Sequence, residues 1–378
     1  VYIMKFTVES NVLVESVNWV SRSLSSRPIM TALLGIVIDV SNEVTLSASD
    51  LETAAKSSFN ADIKEKGKVL VPGRLLAEIA RSLPNKPVSF VLDNNRVLLT
   101  AGTAKFTLPT LPINEYPNLP TMPENSGFIA SDVFATAINQ VAIAAGKDDS
   151  LPTLTGIHVD INKETITLAA TDRYRLAVRE IQWQPNNTDI ATSALLRART
   201  LADAAKSLVG VTQVSLAVAP ITATERLVGF ASEAKTMTSR MLDGTFPPYR
   251  HLLPSESIAQ ATIEVAPFLD SVRRVALVTD KTVPLRLRFA DSKLQLEAGA
   301  GEEAQATEEL TIIYNGEAID IAFNPTFLMD GLHALGTPFV HIAFTGSNKP
   351  AVLSGKHEKD GPTTDNYRYL LMPMRYAS

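Results

Sequence analysis

The chain has 378 residues, of which 45% are apolar, and this is enough for two or three domains with packed cores. It contains no cysteine, so disulfides, thiolate catalysis and cysteine-ligated metals are excluded, and a cytoplasmic location is expected. The apolar runs are all far shorter than the roughly 20 residues of a membrane helix, so no membrane partner is expected.

A short pattern near the start of the chain recurs further along it. Val44–Asp50 reads apolar-Thr-Leu-x-Ala-x-Asp, and Ile166–Asp172 repeats this pattern at an offset of 122 positions. Leu294–Ala298 is a fainter third copy. Self-similarity at a fixed long period predicts a chain built from like domains.

A second set of segments repeats with the same order. Strand-like runs begin at Val88, Val214 and Val340, at an even spacing of 126 positions. We therefore divide the chain into three repeats, at residues 4–126, 127–254 and 255–378, and leave residues 1–3 outside them.

Each repeat is predicted to contain two helices among its strands. The first helix of each repeat carries apolar residues at helical spacing: Leu13, Val17, Val20 and Leu24, then Phe134, Ile138, Val141 and Ala145, then Phe268, Val272 and Val275. The second helix is predicted at Pro72–Leu83, Thr200–Leu208 and Pro325–Leu335. Two helices laid on antiparallel sheets make each repeat an α+β domain.

Patterns that would indicate catalysis are absent from the sequence. It has no Gly-x-x-x-x-Gly-Lys-Ser/Thr loop for ATP, and its five histidines show no metal-ligand spacing. Asp50 and Asp172 recur at equivalent positions, which favours a turn role in which the carboxylate accepts backbone N–H groups. No catalytic residue, metal or cofactor is predicted.

Five short motifs occur in order along the chain: Val71–Arg74, Ala170–Leu176, Phe246–Arg250, Phe323–Pro325 and Tyr369–Arg375. Together they resemble the family of bacterial DNA polymerase III beta subunits, the beta sliding clamps. The resemblance extends over the whole chain from Met4 and implies three DNA-clamp domains in a head-to-tail homodimeric ring. It implies a non-catalytic processivity factor that encircles duplex DNA and recruits polymerase III alpha, clamp-loader subunits and repair proteins through a peptide-binding cleft.

Contact with DNA would come from cations near the predicted helices. A clamp that slides cannot read bases, so it requires phosphate contacts, which carry no sequence information. The resemblance and the helix faces together select Arg22, Arg27, Arg74, Arg81, Lys147, Arg197 and Arg199. Each of these residues is equally compatible with a solvated helix face. The net charge of −5 predicts retention by encirclement rather than by tight binding.

The resemblance also implies a peptide cleft and a dimer interface. The cleft residues are Leu154, Thr171, Arg173, Tyr174, Arg175, Leu176, Pro247, His251, Leu252, Asn348, Pro350, Leu370, Leu371, Met372, Pro373, Met374 and Arg375. Methionines on both sides of a proline give an adaptable apolar surface, and the proline should end the last strand. The interface residues are Phe106, Leu108, Leu277 and Val278, although Phe106 and Leu108 also fit an ordinary core.

Two other functions stay open on the sequence alone. The acidic charge favours a repeat-built β-rich binding scaffold without a nucleic-acid role, and an enzyme with an unrecognised site between repeats is the third alternative.

Overall fold

The computed structural model describes residues 4–208, 210–280, 283–299 and 304–376. These residues form two compact units. The first unit contains the residues up to Asp132 together with Trp183–Thr188 and Asp203–Met241. The second contains Val133–Gln182, Asp189–Ala202 and the residues from Leu242 onwards.

Nine strands fall within each predicted repeat, counted over the described residues. In repeat one they are β1 (Lys5–Val8), β2 (Gly35–Val40), β3 (Val44–Ser49), β4 (Thr53–Phe59), β5 (Asp62–Glu65), β6 (Gly67–Pro72), β7 (Val88–Asp93), β8 (Arg96–Ala101) and β9 (Ala104–Pro109). In repeat two they are β10 (Gly127–Ala130), β11 (Gly156–Asn162), β12 (Thr165–Thr171), β13 (Arg175–Gln182), β14 (Gln184–Pro185), β15 (Ala191–Arg197), β16 (Gln213–Val218), β17 (Leu227–Ser232) and β18 (Lys235–Arg240). In repeat three they are β19 (Ala259–Glu264), β20 (Leu285–Ala290), β21 (Lys293–Ala298), β22 (Ala306–Thr311), β23 (Ile313–Gly316), β24 (Ile319–Phe323), β25 (Phe339–Phe344), β26 (Ala351–Lys356) and β27 (Thr363–Leu371).

The helices are also paired, two to a repeat. They are α1 (Ser10–Ser21), α2 (Gly73–Ser82), α3 (Ser131–Ala142), α4 (Ala198–Ser207), α5 (Val265–Val275) and α6 (Pro325–Leu335). The α+β prediction and the threefold repetition are therefore confirmed. Among the helices that the structure describes, none is long and apolar enough to cross a bilayer.

The strands of the first unit form two antiparallel sheets. One sheet has the order β5-β1-β7-β8-β9, and the other has the order β14-β10-β16-β17-β18-β4-β3-β2-β6. β18 pairs with β4, with Met237 opposite Ala55, so strands of repeats one and two share one sheet. Helices α1 and α2 pack against each other, and α1 buries Leu13, Val17 and Val20 against β3 and β4.

The second unit has the same plan. Its sheets have the orders β15-β11-β12-β13-β27-β26-β25-β19-β23 and β22-β21-β20-β24. β13 pairs with β27, with Leu176 opposite Leu370, so repeats two and three share a sheet in turn. Helix α5 packs on α6, and Asn324 caps α6 by accepting hydrogen bonds from the N–H groups of Thr326 and Phe327.

The predicted apolar stripe of the first helix runs past the end of the helix in repeats one and two. In repeat two, α3 ends at Ala142, so Ala145 lies beyond it. Helix α1 ends at Ser21, so Leu24 lies beyond the helix rather than on its apolar stripe. Leu24 instead covers Gly73 at the start of α2, where an added Cβ would come within 2.7 Å of a Leu24 methyl carbon. A tertiary contact therefore uses the apolar residue that the helical periodicity placed on α1.

Candidate functional site

A tight turn between β12 and β13 organises the candidate cleft. The Thr171 hydroxyl donates to the carbonyl of Arg175 at 2.7 Å and accepts from the N–H of Arg173 at 3.1 Å. The Asp172 carboxylate accepts from the N–H groups of Tyr174 and Arg175 at 3.0 and 3.1 Å. Arg173 lies in the left-handed region, with φ of 79°. The turn role predicted for Asp172 is confirmed.

Arg175 links this turn to helix α6. Its side chain is buried, with 5% of the residue exposed, and its Nε donates to Asp172 Oδ2 at 3.0 Å. Its Nη1 donates to Asp330 Oδ2 at 2.7 Å, and its guanidinium lies 4.1 Å from the centre of the Phe327 ring. Two carboxylates and an aromatic face thus hold a cation that would otherwise be costly to bury.

The protonation states in this cluster follow from burial and pairing. Burial opposes the charge on Arg175, but contacts with Tyr369, Asp330 and Asp172 outweigh it and raise the pKa of the guanidinium. Burial also raises the pKa of Tyr369, whose hydroxyl donates to the carbonyl of Phe327 at 2.7 Å. Arg175 is therefore a permanent cation, and Tyr369 is a permanent donor.

A cavity of about 510 Å³ opens beside the Arg175 cluster. Four predicted cleft residues line it, namely Leu154, Arg173, Tyr174 and Arg175. Its other lining residues are Ala145, Gly146, Lys147, Asp148, Leu151, Asp172 and Phe327. Tyr174 is 63% exposed beside this cavity, and its ring lies 6.4 Å from that of Phe327. An exposed aromatic side chain over a partly apolar cavity suits the capture of a side chain from a partner.

Behind the turn, three predicted cleft residues belong to the protein core. Leu176 and Leu370 are buried in one cluster with Ala169, Val178, Leu195, Phe246, Tyr249 and Val352, and Leu371 is fully buried in β27. They form the support of the cleft rather than an exposed wall.

The chain leaves this sheet at Leu371, as the proline in the tail predicted. The N–H of Met372 donates to the carbonyl of Tyr174 at 2.9 Å, and the N–H of Met374 donates to the carbonyl of Ala322 at 2.7 Å. Met372 is 39% exposed, and Arg375 is also exposed, whereas Pro373 and Met374 are half-buried. The tail therefore presents apolar atoms to solvent next to Tyr174.

The remaining predicted cleft residues lie on two loops. Pro247 is half-buried, next to the buried Phe246, and His251 and Leu252 are exposed in the short 3-10 turn Arg250–Leu252. Asn348 is exposed and Pro350 is half-buried in the loop between β25 and β26. The described contacts do not bring Asn348 or His251 to the cavity, so their roles stay predictions.

Phe327 and Asp330 were not predicted as site residues. They lie three positions apart on α6, so both face the same side of the helix, where they meet Arg175. The sequence carries one usable signal, an aromatic and an acid at this spacing just after the Asn324 cap. It cannot show that a strand from another repeat supplies the cation.

The predicted DNA-contact cations differ in how strongly the protein already holds them. Arg22 donates to the carbonyl of Asp203 at 2.8 Å, Arg81 donates to Asn18 at 3.2 Å, and Arg197 pairs with Asp149 at 3.7 Å. In the part of the chain that is described, Arg27, Arg74, Lys147 and Arg199 are exposed and make no ion pair.

A second cavity of about 490 Å³ gathers three of these cations in the second unit. Lys147, Arg197 and Arg199 line it together with Asp149, and its remaining lining residues are Ala142, Ala145, Gly146, Thr155, Ala198 and Ala202. Because its lining carries three cations and one acid, this cavity favours an anion. Among the described residues, no group of three His, Cys, Asp or Glu side chains could hold a metal.

Unpaired sheet edges lie close to the predicted dimer residues. β9 is an edge strand of the five-stranded sheet and carries Phe106, which is half-buried, and Leu108, which is fully buried. β22 is an edge strand of the four-stranded sheet. Leu277 is 82% exposed in the 3-10 turn Ala276–Val278, where Val278 is half-buried. Leu277 therefore offers an exposed apolar side chain close to Val278, as the predicted interface requires.

Comparison with known families gives three matches in chain order. Residues 4–120 match the N-terminal domain of the DNA polymerase III beta subunit, residues 128–248 match its central domain, and residues 250–375 match its C-terminal domain.

Individual proteins and structures give the same picture. The chain is 48% identical over 375 residues to the beta sliding clamp of Streptomyces coelicolor, covering 99% of this chain and 100% of the relative. A crystal structure of the Bacillus subtilis sliding clamp superposes with a TM-score of 0.90 at 25% identity, covering 99% of this chain and 100% of that one. A Pseudomonas aeruginosa clamp bound to griselimycin also gives a TM-score of 0.90 at 25% identity, with the same coverage.

Proposed function

The chain belongs to the family of DNA polymerase III beta subunits, the beta sliding clamps, and we propose how its residues hold DNA, partners and a second subunit. The observation that carries the proposal is the match of all three clamp domains, in order, along the chain. We propose domain boundaries at residues 4–126, 127–254 and 255–378, and a non-catalytic, cytoplasmic role without a cofactor.

DNA is held by sparse phosphate contacts inside a closed ring. Arg27, Arg74, Lys147 and Arg199 are the cations that the protein leaves available, whereas Arg22, Arg81 and Arg197 must first give up an internal partner. A net charge of −5 keeps direct affinity low and sensitive to salt. Retention is therefore topological, and sequence-independent contact permits sliding.

Loading onto nicked circular DNA by a clamp loader tests this mechanism. The chain should stay on the circle and leave when the circle is cut. Retention on linear DNA with open ends, or failure to load at all, would contradict encirclement. The double variant Arg74→Glu/Arg199→Glu should load poorly, whereas Arg96→Glu, which changes an exposed cation at the start of β8, should load normally.

Peptides from polymerase III alpha, the clamp loader and repair proteins bind in the cleft. The exposed Tyr174, the cavity beside it and the Met372–Met374 tail supply apolar anchors, and the buried Arg175 cluster fixes the turn that carries them. Arg375, which is exposed at the end of the tail, supplies charge to orient the peptide.

Deletion of residues 372–378 should abolish peptide binding and leave the dimer intact. Removal of residues 377–378 alone is the matched control and should leave binding unchanged. Equal peptide affinity in the longer deletion would exclude the tail from the cleft.

The homodimer forms head to tail through the edge strands β9 and β22. Each strand presents unpaired main-chain donors and acceptors, and pairing them across two subunits closes the ring and removes both edges. Leu277 and Val278 would cover Phe106 and Leu108 of the other subunit.

A charge at the interface should break the ring into monomers. Leu277→Asp is expected to sediment as a monomer, while Ile221→Asp, at a loop position that is 74% exposed, should remain a dimer. A dimeric Leu277→Asp variant would place the interface elsewhere.

A further inference from the structure

The C-terminal tail runs along the open edge of the four-stranded sheet. Met374 bonds to the main chain of Ala322 on β24, and two residues later the Tyr376 hydroxyl donates to Asp320 Oδ1 at 3.0 Å, two residues earlier on the same strand. β24 is an edge of its sheet, so its outer side can receive both contacts. The tail is therefore attached to this edge at two points, once through the main chain and once through a side chain.

The side chain of Tyr376 closes a compact polar cluster at the end of this contact. Arg286 on β20 donates to both carboxylate oxygens of Asp320, from Nε at 3.0 Å and from Nη2 at 2.9 Å. The same guanidinium lies 4.9 Å from the centre of the Tyr376 ring. Tyr376 is thus held twice, through its hydroxyl by Asp320 and through its ring by Arg286.

The charges in this cluster favour the tail-bound state at neutral pH. The Arg286 guanidinium, with help from the Tyr376 hydroxyl, lowers the pKa of Asp320, so the carboxylate stays ionised and accepts both groups. Partial burial, together with Asp320, raises the pKa of Tyr376, so its hydroxyl stays a donor.

The Tyr376 cluster lies just beyond the methionines of the candidate cleft, so it can hold them in place. Met372, Pro373 and Met374 lie between the β27 sheet and Tyr376, with Met372 exposed at the cleft. A chain end without a distal attachment frays, and frayed methionines make a poor wall. Tyr376 is 36% exposed as a residue, and its described contacts are with Asp320 and Arg286 rather than with the apolar core.

We propose that Tyr376 is a positioning residue for the peptide cleft. With Asp320 and Arg286 it fixes the Met372–Met374 wall from beyond the cleft, without contact with the bound peptide. The inference rests on the proposed function in one respect, because it takes this tail as a wall of the cleft.

The test compares three variants of the full-length chain. Tyr376→Ala removes both attachments, and Tyr376→Phe removes the hydroxyl while keeping the ring under Arg286. Tyr314→Phe is the matched control, because its hydroxyl donates to the carbonyl of Glu317 near β23, away from the tail. Each variant is assayed with two fluorescein-labelled peptides of the cognate polymerase III alpha subunit. One carries the complete clamp-binding segment, and the other lacks the residues that reach Met372–Met374.

Tyr376→Ala should bind the complete peptide about tenfold more weakly, mainly through faster dissociation, as expected for the loss of a charge-assisted hydrogen bond and a cation–π contact. Tyr376→Phe should lose about threefold, and the shortened peptide should lose nothing. Hydrogen exchange at the Met374 N–H should accelerate most in Tyr376→Ala and less in Tyr376→Phe. The midpoint of thermal unfolding should stay close to that of the wild type in both variants.

Three outcomes would overturn the inference. Unchanged affinity in Tyr376→Ala would show that the tail needs no distal anchor. Equal losses for both peptides, together with a lower unfolding midpoint, would show a purely structural role. Failure of the wild-type chain to bind the complete peptide would reject the cleft assignment, while exchange at Met374 would still report whether Tyr376 anchors the tail.

Discussion

The turns Ser49–Thr53 and Thr171–Arg175 have the same hydrogen bonds at equivalent places in repeats one and two. In both, the first hydroxyl donates to the fifth carbonyl and accepts from the third N–H, and the aspartate accepts from the fourth and fifth N–H groups. Leu51 and Arg173 occupy the third position with φ of 75° and 79°. This hydrogen-bonded turn with a left-handed third residue is therefore common to repeats one and two.

The two turns differ in the side chain of their fifth residue, which is Thr53 in the first turn and Arg175 in the second. The Thr53 hydroxyl donates to Asp50 at 3.1 Å, so this described side-chain contact of Thr53 stays within the first turn. Arg175 bonds to Asp172 and then continues to Asp330 and Phe327 on α6. The two turns therefore share their backbone hydrogen bonds and differ in their side chains, and the second turn carries the candidate binding site.

The largest expected contrast comes from truncating the fifth residue. Arg175→Ala leaves Asp172 and Asp330 without their cation and should lower the free energy of unfolding by about 3 kcal/mol. Thr53→Ala should cost about 1 kcal/mol. Peptide binding should fall more than a hundredfold in Arg175→Ala and not at all in Thr53→Ala. Urea unfolding measures the change in stability, and peptide titration measures the change in affinity. Similar losses of stability in the two variants would show that the contacts of Arg175 with α6 do not stabilise the protein.

Replacing the aspartate of each turn should distinguish its hydrogen bonds to the backbone, which both turns have, from the pairing with Arg175, which only the second turn has. Asp50→Ala loses two backbone bonds and the bond from the Thr53 hydroxyl, and should cost about 2 kcal/mol. Asp172→Ala loses the same two backbone bonds and one charged partner of the buried Arg175, so about 1 kcal/mol more is expected. Unfolding in urea decides this, and an equal cost would indicate that Asp330 alone suffices for Arg175.

Glycine at the third position should act alike in both turns. Leu51→Gly and Arg173→Gly remove the Cβ crowding of the left-handed conformation and should each stabilise by about 0.5 kcal/mol after the entropic cost of glycine. Thermal unfolding measures this stabilisation. Destabilisation by Arg173→Gly alone would show that its side chain supports the cavity.

The smallest expected effect concerns pH and a neighbouring pair of equivalent positions. Val37 on β2 corresponds to His158 on β11, whose ring stacks on Phe246 at 5.2 Å. Burial lowers the pKa of His158 below its ordinary value, so the unfolded chain binds the proton more readily. Stability from this residue is therefore complete above the ordinary histidine pKa and declines as pH falls through it.

His158→Val, which copies repeat one, should flatten this part of the pH dependence of stability. Unfolding measured between pH 7 and pH 5 tests it, with His357→Val, at an exposed histidine near the end of β26, as the control. An unchanged pH profile in His158→Val would assign the sensitivity to other groups.

The sequence predicted what is local or repeated. The strands beginning near Val88, Val214 and Val340 and the turn role of Asp50 and Asp172 follow from period and side-chain chemistry. Such patterns report on neighbouring residues, so they were reliable within each repeat except at helix ends, where Leu24 was placed on α1.

Pairing between repeats could not be derived in this way. The β13–β27 register sets Arg175 opposite Leu371, and no periodicity of either strand specifies that partner. The same limit explains why Phe327 and Asp330 were missed, because their role depends on a tertiary contact with Arg175, which lies 152 and 155 positions away in the chain.

The position of β27 in its sheet also bears on how the protein is made. This strand is inserted between β13 and β26, yet it is synthesised after both of them and after every described strand of the first unit. Domains fold in order of synthesis, so the first unit can complete its sheets while the second still has a gap at its centre. The candidate cleft, which the pairing of β13 with β27 supports, would therefore form only after β27 has been synthesised, and a product truncated before β27 would lack it.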